Sequence, residues 1–92
     1  MEELELKDPE DWYRVRNNLR LLCFQHPQFL HDYERICKNI EVKVRELCVL
    51  EIELRRHDTI WHKQNRDNKL SDINETIRTF SKILLVATLA KR

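Results

Sequence analysis

The sequence predicts an all-α fold: an antiparallel helical hairpin or bundle of three or four helices with a long central helix, completed by oligomerisation. Three observations carry that expectation. Apolar residues recur at helical intervals in three segments, and no segment of useful length alternates apolar and polar residues as a half-buried strand does. The chain has no glycine and only 2 prolines, so the two-residue hairpin turns that need positive φ cannot be built. One apolar seam persists over four heptads, the signature of a helix that packs along its length. At 92 residues the chain is one small domain. An acidic N-terminal arm, 1–8, precedes a single helical domain, 9–92.

The first helix is expected over about 9–25. Asp8-Pro9-Glu10-Asp11 is a start signal: Asp8 accepts from the first free amides, and Pro9 stands where its missing N–H costs nothing. Glu10 and Asp11 place negative charge at the positive end of the helix dipole. Trp12, Val15, Leu19 and Leu22 form one stripe, while Leu21 and Phe24 fall off it. His26-Pro27 ends the helix, because the residue before proline is pushed out of the α region.

The second helix is expected from about 28. Tyr33, Ile40, Leu47, Leu54 and Trp61 recur every seventh residue, with Phe29, Ile36 and Leu50 at the intermediate positions; Lys43 and His57 interrupt the seam. A weaker stripe, Val42, Val49 and Ile52, lies on the opposite side, and a helix apolar on two sides is normally sandwiched between neighbours. The helix either breaks near His57-Asp58-Thr59, where Asp58 would cap a new short helix, or runs on to about 66. In both versions the polar stretch turns at Asp67-Asn68-Lys69.

The third helix, about 71–90, carries Leu70, Ile73, Ile77, Phe80, Leu84 and Ala87 at spacings of three and four. A continuous 28–66 helix would be about 58 Å long, with the first helix lying along its upper half and the third along its lower half. Each half would then be a mere helix pair with too little buried surface. A second copy, giving a four-helix cross-section, supplies the missing surface; a break at Asp58 would instead permit a compact four-helix monomer.

Composition excludes more chemistry than it suggests. Without glycine there is no dinucleotide fingerprint, Walker loop or nucleophile elbow. Cys23, Cys37 and Cys48 form an odd set without a CxxC element, which fits a reducing interior. The start of the chain is acidic, unlike a signal peptide, and the longest strongly apolar run, Ile83 to Ala90, falls far short of the about 20 residues of a membrane span. An intracellular protein, cytoplasmic or nuclear, of a cell or of an infecting virus or phage, is expected, with no membrane partner.

Metal ligation is tested by spacing. His26 and His31 are five apart, as are His57 and His62; on one helix that turns the second imidazole about 140° away, whereas shared ligands sit three or four apart. No metal and no cofactor are expected. A thiol–imidazole pair of Cys48 with His57 or His62 would have no accompanying oxyanion loop, and no enzyme is expected. Glu34–Lys38, Glu41–Arg45 and Glu51–Arg55 are in the favourable i,i+4 order for a salt-bridged helix surface.

Two partner classes remain. Charged residues are 36% of the chain against roughly 25% in an average domain, and net charge is only +1. Residues 1–11 hold six acids against Lys7, leaving 16 basic and 10 acidic residues over 12–92, a net +6. Arg14, Arg16 and Arg20 on the first helix, and Arg55, Arg56, Lys63, Arg66 and Lys69 around the polar stretch, are the residues an oligomeric nucleic-acid-binding protein would use. Against that, Asp58 and Asp67 interrupt the second group. The leading expectation is a non-catalytic, self-associating adaptor, regulatory or scaffold protein, a homodimer first, acting on an unidentified protein partner. Its self-association residues are Leu21, Phe24, Val42, Val49, Ile52, Leu85, Val86 and Leu89, whose exposure on a lone copy would leave an apolar patch of the kind soluble monomers avoid. The acidic arm would dock on another copy's basic face or serve as a solubilising tail.

Overall fold

The computed structural model describes residues 4–90. Among them are three α-helices and no strand: α1 (Trp12–Phe24), α2 (Leu30–Arg56) and α3 (Ile60–Ala90). Short 3-10 turns, Pro9–Asp11 and Pro27–Phe29, lead into α1 and α2. The two prolines occupy the first position of each turn, where no backbone donor is lost. His26 leaves the helical region, at φ −138°, as a residue before proline must.

α2 and α3 pack along their length as an antiparallel hairpin, about 40 and 46 Å long at 1.5 Å per residue, inside a molecule of 51 × 19 × 16 Å. Ile40 and Leu47 of the α2 seam, with Cys37 and Val44 beside them, form one core with Ile73, Ile77, Phe80 and Leu84 of α3, and α1 closes this half with Trp12, Val15, Leu19 and Cys23. The closed half is a three-helix bundle holding every buried apolar residue, from Leu6 to Leu84. Burial pushes the Cys23 thiol up to about 11, helped by the neighbouring Cys37, so this thiol stays protonated at neutral pH.

Three features differ from the sequence expectation. The chain breaks at His57-Asp58-Thr59 and no four-helix monomer results, because α3 begins at once and continues for 31 residues. Thr59, not Asp58, caps it: the Thr59 hydroxyl accepts the His62 amide at 3.2 Å. The turn expected at Asp67-Asn68-Lys69 is helical. Nothing in that polar stretch breaks a helix, since it lacks Gly and Pro, and three of its charges, Arg66, Lys69 and Asp72, are engaged by α2. Lys43 meets Asp72 at 2.9 Å, Glu46 meets Lys69, and Glu51 meets Arg66 at 3.2 Å. Consequently α3 runs beside the whole of α2, not beside its lower half alone.

The acidic arm is the third difference. Its residues 4–8 are docked on the same chain: Leu6 is fully buried, its amide donates to the Asn74 side-chain oxygen at 2.8 Å, and the Asn74 amide returns a bond to the Leu6 carbonyl at 2.9 Å. That reciprocal pair satisfies a backbone donor and acceptor that burial would otherwise strand. Asp11 ties down the same segment, its carboxylate accepting the Lys7 and Asp8 amides at 2.9 and 3.1 Å. Residues 1–3 of the expected arm lie outside the described residues.

Candidate functional site

The eight residues expected to mediate self-association are not gathered into one patch. Each helix turns its own members away from the shared core. Leu21 and Phe24 are exposed on α1, Val42, Val49 and Ile52 on the back of α2, and Val86 and Leu89 on the outer side of α3. Leu85 behaves differently. It is half-buried and lines a cavity of about 210 Å³ together with Leu4 and Glu5 of the docked arm.

The α2 face is the most developed of the three. Val49 is 54% exposed although it lies nine residues from fully buried Ile40, half a turn round the helix at about 100° per residue. Beside it, α2 and α3 form a groove of about 470 Å³ walled by Val49, Leu50 and Trp61 and rimmed by Glu46, Glu53, Asn65 and Lys69. Trp61, 64% exposed, stands at the start of α3, its ring edge-on to His62 at 4.8 Å. None of residues 48–72 is buried, so this part of the hairpin is two helices joined mainly by ion pairs and half-buried Leu50, Leu54 and Leu70.

Charges on this surface are spent differently from the intrahelical pairing expected from sequence. Glu41 is taken by Arg16 of α1 at 3.0 Å and Glu51 by Arg66 of α3. Arg45 and Arg55, their expected partners, stay exposed. A cross-helix bond between half-buried groups loses less to solvent than a pair on an open helix face.

The break also changes the histidine geometry. On a continuous helix His57 and His62 diverge; with His57 in the loop their rings stack, centroids 5.8 Å apart and 24° from parallel. His62 Nδ1 lies 2.6 Å from the Thr59 hydroxyl and its Nε2 is 3.9 Å from Glu53. Among the described residues no group of three His, Cys, Asp or Glu side chains is arranged to hold a metal ion, and no helix is long and apolar enough to cross a membrane. At the bundle end His26 is buried, with Nε2 2.8 Å from the Thr88 hydroxyl, a contact that pins the end of α1 to α3.

The basic residues separate into two places. Arg14, Arg16 and Arg20 flank a groove between α1 and α2 of about 950 Å³, lined also by Tyr13, Phe24, Tyr33 and Lys38. Arg16 lies over the Tyr13 ring and Arg20 over the Phe24 ring, at 5.3 and 5.5 Å. Arg55, Arg56, Lys63, Arg66 and Lys69 lie around the far tip of the hairpin, and two of these five, Arg66 and Lys69, are engaged by carboxylates of α2. Sequence spacing marked the residue types correctly but not the aromatic partners of the α1 arginines, although Tyr13–Arg16 and Arg20–Phe24 stand three and four apart, the helical neighbour spacing. No protein family, curated protein or solved structure matches this chain.

Proposed function

We propose that this protein is a non-catalytic helical interaction module that self-associates through the open face of its α2–α3 hairpin. One observation carries the reading: α2 is apolar on two sides, and only one of them is covered. Cys37, Ile40, Val44 and Leu47 enter the bundle core, while Val42, Val49 and Ile52, with Trp61 beside them, face solvent. A contiguous apolar strip rimmed by charge is the usual form of a protein-binding surface, and a large exposed aromatic side chain at its edge is the commonest anchor. The hairpin tip, with no buried residue of its own, gains the most from a covering partner.

Sedimentation equilibrium across the micromolar range tests this directly. A dimer is expected, and Val49→Asp, which places a charge in the middle of the strip, lowers association at least about tenfold while leaving helicity unchanged. A strictly monomeric wild-type chain at these concentrations overturns the reading.

A second reading, binding of nucleic acid, is favoured by one observation of its own. The α1 groove interleaves Arg16 and Arg20 with exposed Tyr13 and Phe24, the combination of cations and ring faces on which unpaired bases stack. Retention of single-stranded oligonucleotide that weakens steeply with salt is its expected signature; absence of binding at low salt removes it.

A further inference from the structure

The self-association reading leaves open how two copies meet, and the charges around Val49 narrow the choice to one orientation. Arg45, Val49 and Glu53 stand at intervals of four, which on a helix makes them a single ridge. Val49 is its apolar midpoint, with a cation one turn before and an anion one turn after. Arg45 is exposed because Glu41, its neighbour one turn back, is held by Arg16 of α1. Glu53 is half-exposed, and its carboxylate lies 3.9 Å from His62 Nε2.

In a two-fold dimer the same patch serves on both copies, so a residue a given distance before the axis faces the residue the same distance after it. Resting on the reading above, we propose that a second copy of this chain crosses α2 antiparallel with the two-fold axis at Val49, so that Arg45 of each copy meets the partner's Glu53. One symmetry operation then makes two oppositely charged contacts flanking a Val49–Val49 centre. A parallel pairing of the same ridge would bring Arg45 to Arg45 and Glu53 to Glu53, two like-charged contacts flanking the valine pair, which is repulsive. Packing of one i±4 ridge beside another gives a crossing near −50°, and the groove beside Val49, walled by Leu50 and Trp61, has room for the partner's apolar side chains.

The experiment is a charge exchange read by sedimentation equilibrium at low and moderate salt. Arg45→Glu and Glu53→Arg each put two like-charged contacts into the dimer, and each is expected to weaken it at least about tenfold. The double variant R45E/E53R restores both contacts with reversed sign, and an equimolar mixture of the two single variants restores both in the mixed dimer, one reversed and one of native sign; both are expected within about threefold of wild type. Recovery in the mixture establishes that the contacts run between chains. If wild type dimerises but the single variants do so equally well, or the double variant and the mixture stay dissociated, the antiparallel Val49 register is overturned while self-association stands. A monomeric wild type overturns both. All of these changes lie on exposed or half-exposed positions of α2, and unchanged circular dichroism confirms that the variants fold.

Discussion

The two ends of the α2–α3 hairpin are held together by different physics. At one end α1 and the docked arm convert the hairpin into a bundle with thirteen buried apolar residues, Trp12 among them at 3% exposure. At the other, from 48 to 72, the same two helices run side by side with nothing buried, and Glu46–Lys69 and Glu51–Arg66 span the gap. Apolar burial is insensitive to salt and contributes about 25 cal/mol per Å², whereas an exposed ion pair contributes about 0–1 kcal/mol. The bundle end therefore supplies the fold, and the tip is a surface held out from it. Exposed Val49 and Ile52, on which the proposed self-association rests, lie on that less buried end.

The largest effect should separate these ends most sharply. Ile77→Ala, in the core of the bundle, is expected to cost about 2–5 kcal/mol and to lower the stability of the whole chain. Leu54→Ala, on the half-buried tip, is expected to cost about 1 kcal/mol. Chemical denaturation gives both values, and hydrogen exchange gives their distribution: the I77A loss should appear at every amide, the L54A loss only around 48–72. Equal losses at both positions would mean that the tip has a core of its own and would dissolve the contrast.

A smaller effect tests how the arm belongs to the bundle. Asn74→Ala removes both bonds to the Leu6 backbone and leaves its amide and carbonyl buried without partners, for an expected cost of about 1–3 kcal/mol. Amides of residues 4–8 should lose protection while those of the tip keep theirs. If the tip amides lose protection as well, the two ends are coupled and do not behave as separate regions.

Much of the bundle end was legible in the sequence, because its signals are local. Asp8-Pro9 and His26-Pro27 fixed the bounds of α1 through the restricted backbone of proline, and the stripe Trp12, Val15, Leu19 matched its buried face. The seam from Tyr33 to Leu47 named two of the four buried α2 residues, Ile40 and Leu47, for the same reason. The tip was misread because the residues between Arg55 and Asp72 are polar for a non-local cause. Arg66, Lys69 and Asp72 ascend α3 opposite Glu51, Glu46 and Lys43 descending α2, and complementary charges in that opposed order were the available signal of an antiparallel pair. A search for apolar periodicity alone passes over it. The docking of Leu6 on Asn74, 68 residues away, left no trace in local pattern at all. Of the eight association residues Leu85 alone is half-buried, lining a cavity with Leu4 and Glu5 of the arm, which was read as separate from the bundle.

The smallest effect distinguishes the two ends by what titrates. Asp11 anchors the arm through the Lys7 and Asp8 amides, and these two bonds hold its carboxyl below the ordinary aspartate value of 3.8, with Arg14 adding a weaker pull. A carboxyl whose folded-state pKa lies below its unfolded one binds fewer protons when folded. Its contribution is therefore present in full above the unfolded value and is lost as pH falls through the folded one. As pH falls through and below 3.8, wild type should lose stability more steeply than Asp11→Asn, whose side chain does not titrate, and the two curves should converge at the acid end. Raising salt at pH 7 should produce the opposite pattern, since backbone donors to Asp11 are screened little while the Glu51–Arg66 and Glu46–Lys69 pairs weaken. Faster exchange of the tip amides in salt, with arm amides unchanged, would place the titrating and the salt-sensitive attachments at opposite ends of the hairpin. Parallel acid curves for wild type and D11N would show that the arm is held by Leu6 and Asn74 alone.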